Sequence, residues 1–324
     1  MATVDMLVAI RSTLAGEMRR DDRVVLLGES IAALGGVFQA TDGLLAEFGA
    51  QRVIDMPLGE GGIVGAAAGM ALYGLKPVAE IQHADFAFSG FEQIVSEVAK
   101  YRYRSGGQYP CPVVLRMPYG GGIGGGIYHS QSPEAHFTHT PGLLVVAPSS
   151  PRDAAGLLRT AIRGEDPVIF LEPKRLYRSA GGEVPDDDFT IPIGEAARLR
   201  EGGDVTVIAY GAMLHEAVEA AERAAGDGIG VDLLDLRTLV PFDIGAVLES
   251  VARTGRAVLV QEAPRLCGFT AELAAVLAEK AVFHLQAPVL RVGGYDTPVP
   301  YALERDYLPD AGRVLAAIQR VCNF

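Results

Sequence analysis

The sequence has no tryptophan, only three cysteines and far fewer basic than acidic residues. The cysteines, Cys111, Cys267 and Cys322, are widely spaced and odd in number. This spacing indicates neither a disulfide framework nor a paired-cysteine zinc site, and it predicts a reducing, cytoplasmic setting. With 28 Lys and Arg against 40 Asp and Glu, the formal net charge is −12. Neither nucleic acid nor an anionic membrane is therefore expected as a partner, because both bind clustered positive charge.

Long apolar runs are also missing. The longest uncharged apolar stretch, Gly61 to Leu75, is shorter than the ~20 residues that span a bilayer. The N-terminus lacks the basic region and apolar core of a secretory signal. We therefore expect a cytoplasmic protein without a transmembrane helix.

The chain is long enough for two cores. It has 324 residues, of which 49% are hydrophobic, whereas single domains cluster at roughly 100–150 residues. The 39 glycines favour close backbone packing, and so large an apolar fraction favours a surface covered by partner subunits. Two domains and an oligomer are expected.

Short runs rich in Val, Ile and Leu alternate with longer helical patterns. Such alternation predicts an α/β protein whose open, mostly parallel sheets carry helices on both faces. The expected strands of the first half are Val24–Gly28, Arg52–Met56, Pro77–Gln82, Val113–Met117, Leu143–Pro148 and Val168–Glu172. The expected helices between them are Thr3–Arg19, Gly62–Tyr73, Phe91–Arg104 and Arg152–Arg163.

A segment of different composition separates two series of predicted strands and helices. Residues 179–190 read SAGGEVPDDDFT, and this mixture of Gly, Pro and acids without periodicity is typical of an exposed linker. We predict a first domain over residues 1–180, a linker at 181–192 and a smaller α/β domain over 193–324. The expected strands of the second domain are Val205–Tyr210, Gly230–Asp235, Ala257–Gln261 and Val289–Val292. Its expected helices are Leu214–Ala225, Pro241–Arg253, Gly268–Lys280 and Ala311–Val321.

Two short motifs resemble binding sites but lack the context that such sites need. Residues 120–126 read GGGIGGG and contain the GxGxxG pattern, yet no helical pattern opens directly after them. A flexible or ligand-shaped loop is therefore favoured over a nucleotide site. His129, His136 and His139 are close in sequence, but Glu134 is the one acid nearby and no cysteine accompanies them. A metal site is accordingly not favoured there.

A longer set of motifs resembles one family over essentially the whole chain. The motifs are LGE at 58–60 followed by GGIVGAAAGMALYG, EIQHADF at 80–86, IYHSQSPEA at 127–135, LEPKRLYR at 171–178, DLRTLVPFD at 235–243 and GYDTP at 294–298. By these motifs the chain is similar to the beta subunits of the thiamine diphosphate-dependent 2-oxo acid dehydrogenases, the decarboxylating component of the pyruvate and branched-chain complexes. The resemblance implies a transketolase-like pyrimidine-binding domain followed by a domain like the transketolase C-terminal domain.

The resemblance assigns roles to five residues. It implies that Glu60 hydrogen-bonds the aminopyrimidine ring of thiamine diphosphate and so helps to activate it; a glutamate favoured at a helix start is the alternative. Leu58, Gln82 and Phe86 are the implied cofactor contacts, with Phe86 offering an aromatic face, and ordinary core packing is the alternative for each. His129 is implied to act on the substrate, since imidazole exchanges protons near neutral pH. A histidine that only caps or packs a loop is the alternative.

The resemblance also implies that half of the cofactor site lies on another chain. The family's diphosphate and Mg²⁺ motif begins GDG and ends in asparagine. The chain has a GDG at 226–228, but its only asparagine is Asn323, which is too far away to complete the motif. We therefore expect a simple turn at 226–228 and no metal ligands in this chain. The Mg²⁺ is expected to be held by an alpha subunit. The implied assembly has two alpha and two beta chains and docks on a dihydrolipoyl acyltransferase core through a basic domain, which suits an acidic surface. A potassium ion near residues 161–166 is also implied.

Two further segments indicate the substrate class. The segments LYR at 176–178 and YDTP at 295–298 look more like branched-chain members, so a branched-chain 2-oxo acid is favoured, with pyruvate or acetoin as the alternative. A self-sufficient transketolase-like enzyme is disfavoured by the missing diphosphate motif. A non-catalytic structural subunit is disfavoured because it has no chemical need for Glu60 and His129.

Overall fold

The computed structural model describes residues 2–185 and 188–324, and these divide into two compact units. The first unit runs to Tyr119 and resumes over His136–Ile193. The second unit comprises Gly120–Ala135 and Gly194–Phe324. One segment from the first half of the sequence, with His129 in it, thus belongs to the second unit.

The elements as far as Val184 follow one another as strand and helix in near alternation. The strands are β1 (Ala2–Asp5), β2 (Val24–Gly28), β3 (Val53–Asp55), β4 (Lys76–Glu80), β5 (Val114–Tyr119), β6 (Leu144–Val146), β7 (Val168–Pro173) and β8 (Gly181–Val184). The α-helices are α1 (Met6–Arg20), α2 (Leu44–Phe48), α3 (Glu60–Leu72), α4 (Tyr101–Arg104), α5 (Glu134–Thr138) and α6 (Pro151–Arg163). Three 3₁₀ turns, Ala84–Gly90, Gly126–Tyr128 and Lys174–Leu176, and one π-helical segment, Gln93–Val98, complete this part.

The sheet of the first unit is parallel. Its strands are hydrogen-bonded in the order β6-β7-β5-β4-β2-β3, and every one of these pairings is parallel. The residues of β2, β5 and β7 are buried along their whole length, as expected for strands covered on both faces. The strand order also brings the carboxyl ends of β2, β3 and β4 to one edge of the sheet, from which the segments with Glu60 and Phe86 continue.

The second unit has a sheet of its own. From residue 194 onward the strands are β9 (Ala197–Arg200), β10 (Val205–Ala209), β11 (Val231–Asp235), β12 (Thr238–Val240), β13 (Ala257–Pro264) and β14 (Leu290–Gly294). The helices are α7 (Met213–Gly226), α8 (Ile244–Thr254), α9 (Phe269–Lys280), α10 (Glu304–Tyr307) and α11 (Ala311–Cys322), with a 3₁₀ turn at Val282–His284. Five strands pair in the order β14-β13-β10-β11-β9, with β9 the antiparallel edge strand. The predicted α/β class with mostly parallel sheets is confirmed.

Two of the helices predicted in the first half of the chain differ from the observed helices by more than two residues. The helix predicted over Thr3–Arg19 begins at Met6, because Ala2–Asp5 pairs as a strand with β8 and Asp5 caps the helix by accepting a hydrogen bond from Val8 N at 2.7 Å. The helix predicted over Phe91–Arg104 is interrupted. Its middle, Gln93–Val98, is π-helical and α4 is a separate short turn. No feature of the sequence pattern distinguishes this π-helical turn from an α-helical one.

The predicted linker is partly regular. Its first residues form β8, which pairs antiparallel with β1, a contact between residues too far apart in sequence for local patterns to indicate. Asp186 and Asp187 of the predicted linker lie outside the described residues. No helix among the described residues is long and apolar enough to cross a membrane.

Candidate functional site

Glu60 is the first residue of α3, so its carboxylate lies at the positive end of the helix dipole. It is half-buried. The hydroxyl of Ser89 donates a hydrogen bond to Glu60 Oε2 and also lies 3.1 Å from the carbonyl oxygen of Phe86. Among the described residues no donor forms a hydrogen bond to Glu60 Oε1. This oxygen can therefore accept a hydrogen bond from a ligand.

A glycine lets the segment that contains Phe86 and Ser89 pack against the start of α3. A Cβ at Gly90 would stand 3.1 Å from the carbonyl carbon and oxygen of Glu60, and one at Gly61 would stand 3.3 Å from the carbonyl oxygen of Ser89. The 3₁₀ turn Ala84–Gly90 therefore lies directly against the first turn of α3. This close approach holds Ser89 within hydrogen-bond distance of Glu60.

The other predicted cofactor contacts also follow strands of the first unit. Phe86 is half-buried, and its ring stands edge-on to His83 with the ring centroids 5.4 Å apart. Gln82 follows β4, and its Nε2 lies 3.5 Å from the carbonyl oxygen of Glu29, which follows β2. Leu58, just before α3, is 79% exposed, so it is not part of the core of this chain. The structure thus joins Glu60 and Phe86 through Ser89 and gives Leu58 a solvent-facing side chain.

A buried ionic network, which the sequence analysis missed, lies across the same sheet. Arg116 of β5 donates two hydrogen bonds to Glu172 of β7, at 2.7 and 2.9 Å, and one to Glu80 of β4, at 2.8 Å. The hydroxyl of Tyr177 donates a hydrogen bond to Glu172 Oε2. Burial raises the pKa of Glu80, while the charge of Arg116 opposes this rise. The network ties three adjacent strands together, and its sequence signal was an arginine inside the otherwise apolar strand VVLRM.

The glycine-rich segment 120–126 is a loop in the second unit. Four of its glycines have positive φ angles, from 63° to 93°, namely Gly120, Gly122, Gly124 and Gly126. Residues other than glycine rarely adopt such angles. His129 follows the 3₁₀ turn Gly126–Tyr128 and is half-buried. The next helix, α5, does not open until Glu134. His129 therefore lies on a loop, and no helix opens directly after the glycine-rich segment.

Glu134, which follows this loop, is a buried acid. It is fully buried in the second unit, and Tyr210 donates a hydrogen bond to its Oε1 at 2.7 Å. Its Oε2 has no hydrogen-bond partner among the described residues. Burial raises the pKa of Glu134 to about 7, with the Tyr210 hydrogen bond opposing the rise. This carboxyl group therefore gains and loses a proton near neutral pH.

The remaining histidines of the weak metal motif lie in other surroundings. His136 belongs to the first unit and packs against aromatic rings, with its centroid 5.1 Å from that of Phe88. Within residues 2–185 and 188–324, no three His, Cys, Asp or Glu side chains form a group that could hold a metal ion. The GDG segment at 226–228 is the predicted turn between a helix and a strand, at the end of α7.

The predicted site residues fall in two groups. Glu60, Leu58, Gln82 and Phe86 belong to the first unit, and His129 belongs to the second. The first group offers a carboxylate, an aromatic ring and an amide at one edge of a parallel sheet, where open α/β sheets bind their ligands. The second group offers an imidazole on a shaped loop.

Comparison with known proteins matches two domain families to the chain, and the first match includes the segment Gly120–Ala135 of the second unit. Residues 2–180 match the family described as transketolase, pyrimidine binding domain, and residues 194–314 match transketolase, C-terminal domain. A solved structure titled split gene transketolase, inactive beta4 tetramer, superposes with a TM-score of 0.82 at 26% identity and covers 99% of both chains.

Curated relatives match nearly the whole of this chain. The 2-oxoisovalerate dehydrogenase subunit beta of Bacillus subtilis is 47% identical and covers 100% of both chains. The mitochondrial 2-oxoisovalerate dehydrogenase subunit beta of Dictyostelium discoideum is 49% identical over 99% of this chain and 87% of its own. The pyruvate dehydrogenase E1 component subunit beta of Leifsonia xyli is 47% identical over 98% of this chain and 94% of its own. The resemblance inferred from the motifs is thereby confirmed, and the chain belongs to the family of 2-oxo acid dehydrogenase beta subunits built from a transketolase pyrimidine-binding domain and a transketolase C-terminal domain.

Proposed function

We propose that this chain is the beta subunit of the thiamine diphosphate-dependent component that decarboxylates a branched-chain 2-oxo acid and passes the acyl group to a lipoyl group. The full-length similarity to 2-oxoisovalerate dehydrogenase beta subunits supports the substrate class. The observation that carries the proposal is the Glu60 carboxylate at the start of α3, held through Oε2 by Ser89 and open at Oε1.

The residues of the first unit fit the pyrimidine side of thiamine diphosphate. Within the described part of the chain no donor reaches Glu60 Oε1, which leaves this oxygen for a ring nitrogen that shares a proton with it. Phe86 supplies a half-buried aromatic ring, which packs at a steep angle to the ring of His83 and is of the kind that stacks on a pyrimidine. Gln82 and the exposed Leu58 complete the proposed set of contacts. When bound, thiamine diphosphate supplies a nucleophilic carbon and an electron sink for decarboxylation.

Each proposed residue has a separate task. Glu60 holds or releases a proton at its free oxygen, beside the positive end of α3. Phe86 fixes the orientation of the ring that stacks on it, and Leu58 excludes water on the exposed side. His129 is assigned to the substrate, where an imidazole donates a hydrogen bond to developing negative charge or moves a proton during acyl transfer.

The other half of the cofactor site is assigned to an alpha subunit. The proposed assembly has two alpha and two beta chains, with the diphosphate and Mg²⁺ held by alpha, and it docks on a dihydrolipoyl acyltransferase core. The incomplete GDG motif and the net charge of −12 support these assignments. A potassium ion near residues 161–166 is part of the same proposal. The three free cysteines support the reducing cytoplasm as its location.

Two other functions have specific support. A pyruvate dehydrogenase beta subunit is favoured by a relative at 47% identity, equal to that of the Bacillus 2-oxoisovalerate relative. A non-catalytic subunit is the alternative of another class, and the solved neighbour of this fold is titled an inactive tetramer.

The test is to purify the chain from its own cells and weigh the intact assembly by native mass spectrometry with thiamine diphosphate and Mg²⁺ added. The proposal predicts equal copies of a second chain, bound cofactor, and a higher kcat/KM for 3-methyl-2-oxobutanoate than for pyruvate. A preference for pyruvate would replace the substrate class. A homo-oligomer that binds no cofactor and decarboxylates neither acid would leave the non-catalytic subunit as the function.

A further inference from the structure

The loop that carries His129 is attached to the second unit by two buried carboxylates. Glu262, near the end of β13, accepts hydrogen bonds at Oε1 from Gly121 N at 2.6 Å and from the Ser132 hydroxyl at 3.2 Å. Glu304, the first residue of α10, accepts one at Oε2 from Gly124 N, at 2.9 Å, and one at Oε1 from the Ser130 hydroxyl, at 3.1 Å. Each carboxylate thus takes one backbone N–H and one serine hydroxyl from the same loop.

Burial makes these contacts strong. Glu262 is 5% exposed and Glu304 is 9% exposed, so water does not replace the hydrogen bonds at low cost. The four donors lie on both sides of the 3₁₀ turn that precedes His129. The two glutamates therefore fix the loop before and after the histidine.

The glycines of the loop make this attachment possible. A Cβ at Gly120 would stand 2.6 Å from Glu262 Oε1, and one at Gly121 would stand 3.1 Å from Glu304 Oε1. A Cβ at Gly125 would stand 2.8 Å from the Cβ of His129. Side chains at these three positions would push away the carboxylates or the histidine itself. Close contact with protein groups of the second unit thus explains three glycines of the GGGIGGG segment.

We propose that Glu262 and Glu304 are positioning residues that hold the loop Gly120–Ser132 in one conformation and so fix the position of His129. The assignment of a substrate role to His129 rests on the proposed function. The attachment itself rests only on contacts within the second unit. Neither glutamate is assigned a contact with substrate or cofactor.

The experiment compares Glu304→Ala with Glu304→Gln in the assembled enzyme. Alanine removes both acceptors. Glutamine keeps an oxygen for Gly124 N, and its amide can donate to Ser130, whose hydroxyl then accepts, so it restores both contacts. Asp306→Ala is the matched control, because Asp306 is exposed on the same short helix. Glu262→Ala with Glu262→Gln repeats the design, and Glu304 alone decides if Glu262→Ala does not fold.

Two readouts separate the proposal from a general loss of structure. Hydrogen exchange of peptides covering residues 120–132 should become about tenfold faster in Glu304→Ala, with the rest of the chain unchanged. In the same variant kcat should fall roughly 10- to 100-fold, since small displacements of a reacting group cost this much, while thiamine diphosphate affinity stays at the wild-type value. Glu304→Gln should restore both values, and Asp306→Ala should change neither.

Each other outcome is decisive. Unchanged exchange in Glu304→Ala would show that the carboxylate does not hold the loop. Faster exchange with unchanged kcat would show that the loop is held but that its position does not matter for His129. If the wild-type assembly decarboxylates no 2-oxo acid, the proposed function fails, and the exchange data still decide whether the two glutamates hold the loop.

Discussion

Replacing Glu134 by glutamine should make the second unit more stable at high pH. Burial raises the pKa of this carboxyl group from its ordinary value of 4.5 to about 7. Below pH 4.5 it is protonated in the folded and unfolded states alike. Between pH 4.5 and about 7 the folded state keeps a proton that the unfolded state has lost, so the stability from this group falls as pH rises. At about 1.4 kcal/mol for each pH unit, the loss is about 3 kcal/mol by pH 8.

The measurement is urea denaturation of wild type and Glu134→Gln from pH 4.5 to pH 8. Glutamine carries no titrating group and keeps an oxygen for the Tyr210 hydroxyl. Between pH 4.5 and pH 8 the free energy of unfolding of the variant should therefore rise by about 3 kcal/mol relative to that of the wild type. Taking the difference cancels the other carboxyl groups, which titrate in both proteins. Glu279→Gln, on the exposed face of α9, should follow the wild type at every pH. A difference between wild type and Glu134→Gln that stays constant with pH would refute the reasoning.

Three further substitutions test other parts of the structure. Arg116→Ala leaves two buried glutamates without their cation and should lower the free energy of unfolding by about 3–5 kcal/mol; a loss below about 1 kcal/mol in urea denaturation would contradict the buried network. Gly142→Ala should cost about 2 kcal/mol or more, because Gly142 has φ of 100° and its Cβ would stand 1.9 Å from the carbonyl oxygen of Ala99. An unchanged melting temperature would contradict this. Ser89→Ala should keep the fold but lower kcat by about 3- to 10-fold, since Glu60 loses the hydrogen bond that the Ser89 hydroxyl donates to Oε2. Unchanged steady-state kinetics would mean that the bond does not matter.

Local patterns were enough to predict the parallel strands of the two sheets and the longer helices, but they missed β1, β8, β9 and β12. The buried runs that became β2, β5 and β7 were recognisable as apolar segments flanked by glycine, proline or charge. The helix at Ile244–Thr254 was predicted three residues early, because Asp243 caps it through Ala246 N at 2.9 Å and residues 241–243 lie outside it. Element types were therefore predictable, whereas ends set by single hydrogen bonds were not.

Contacts between distant parts of the sequence could not be predicted in this way. The pairing of β1 with β8 joins residues about 180 positions apart. Glu304 and Ser130 are 174 positions apart, and nothing near either residue indicates the other. Arg116 stood out as a charge inside an apolar strand, but its two glutamates come from strands whose order in the sheet the sequence does not state. The site residues were found through the family motifs, and the residues that hold them were found only in the structure.

The role of Glu60 is the central claim, and it is tested most directly by Glu60→Gln in the assembled enzyme. The measurement is kcat for decarboxylation of 3-methyl-2-oxobutanoate with an artificial electron acceptor, together with the dissociation constant of thiamine diphosphate. If the carboxylate exchanges a proton with the cofactor ring, kcat should fall by about 100-fold or more while the cofactor still binds. A Glu60→Gln enzyme whose kcat stays within about twofold of the wild type would contradict the account.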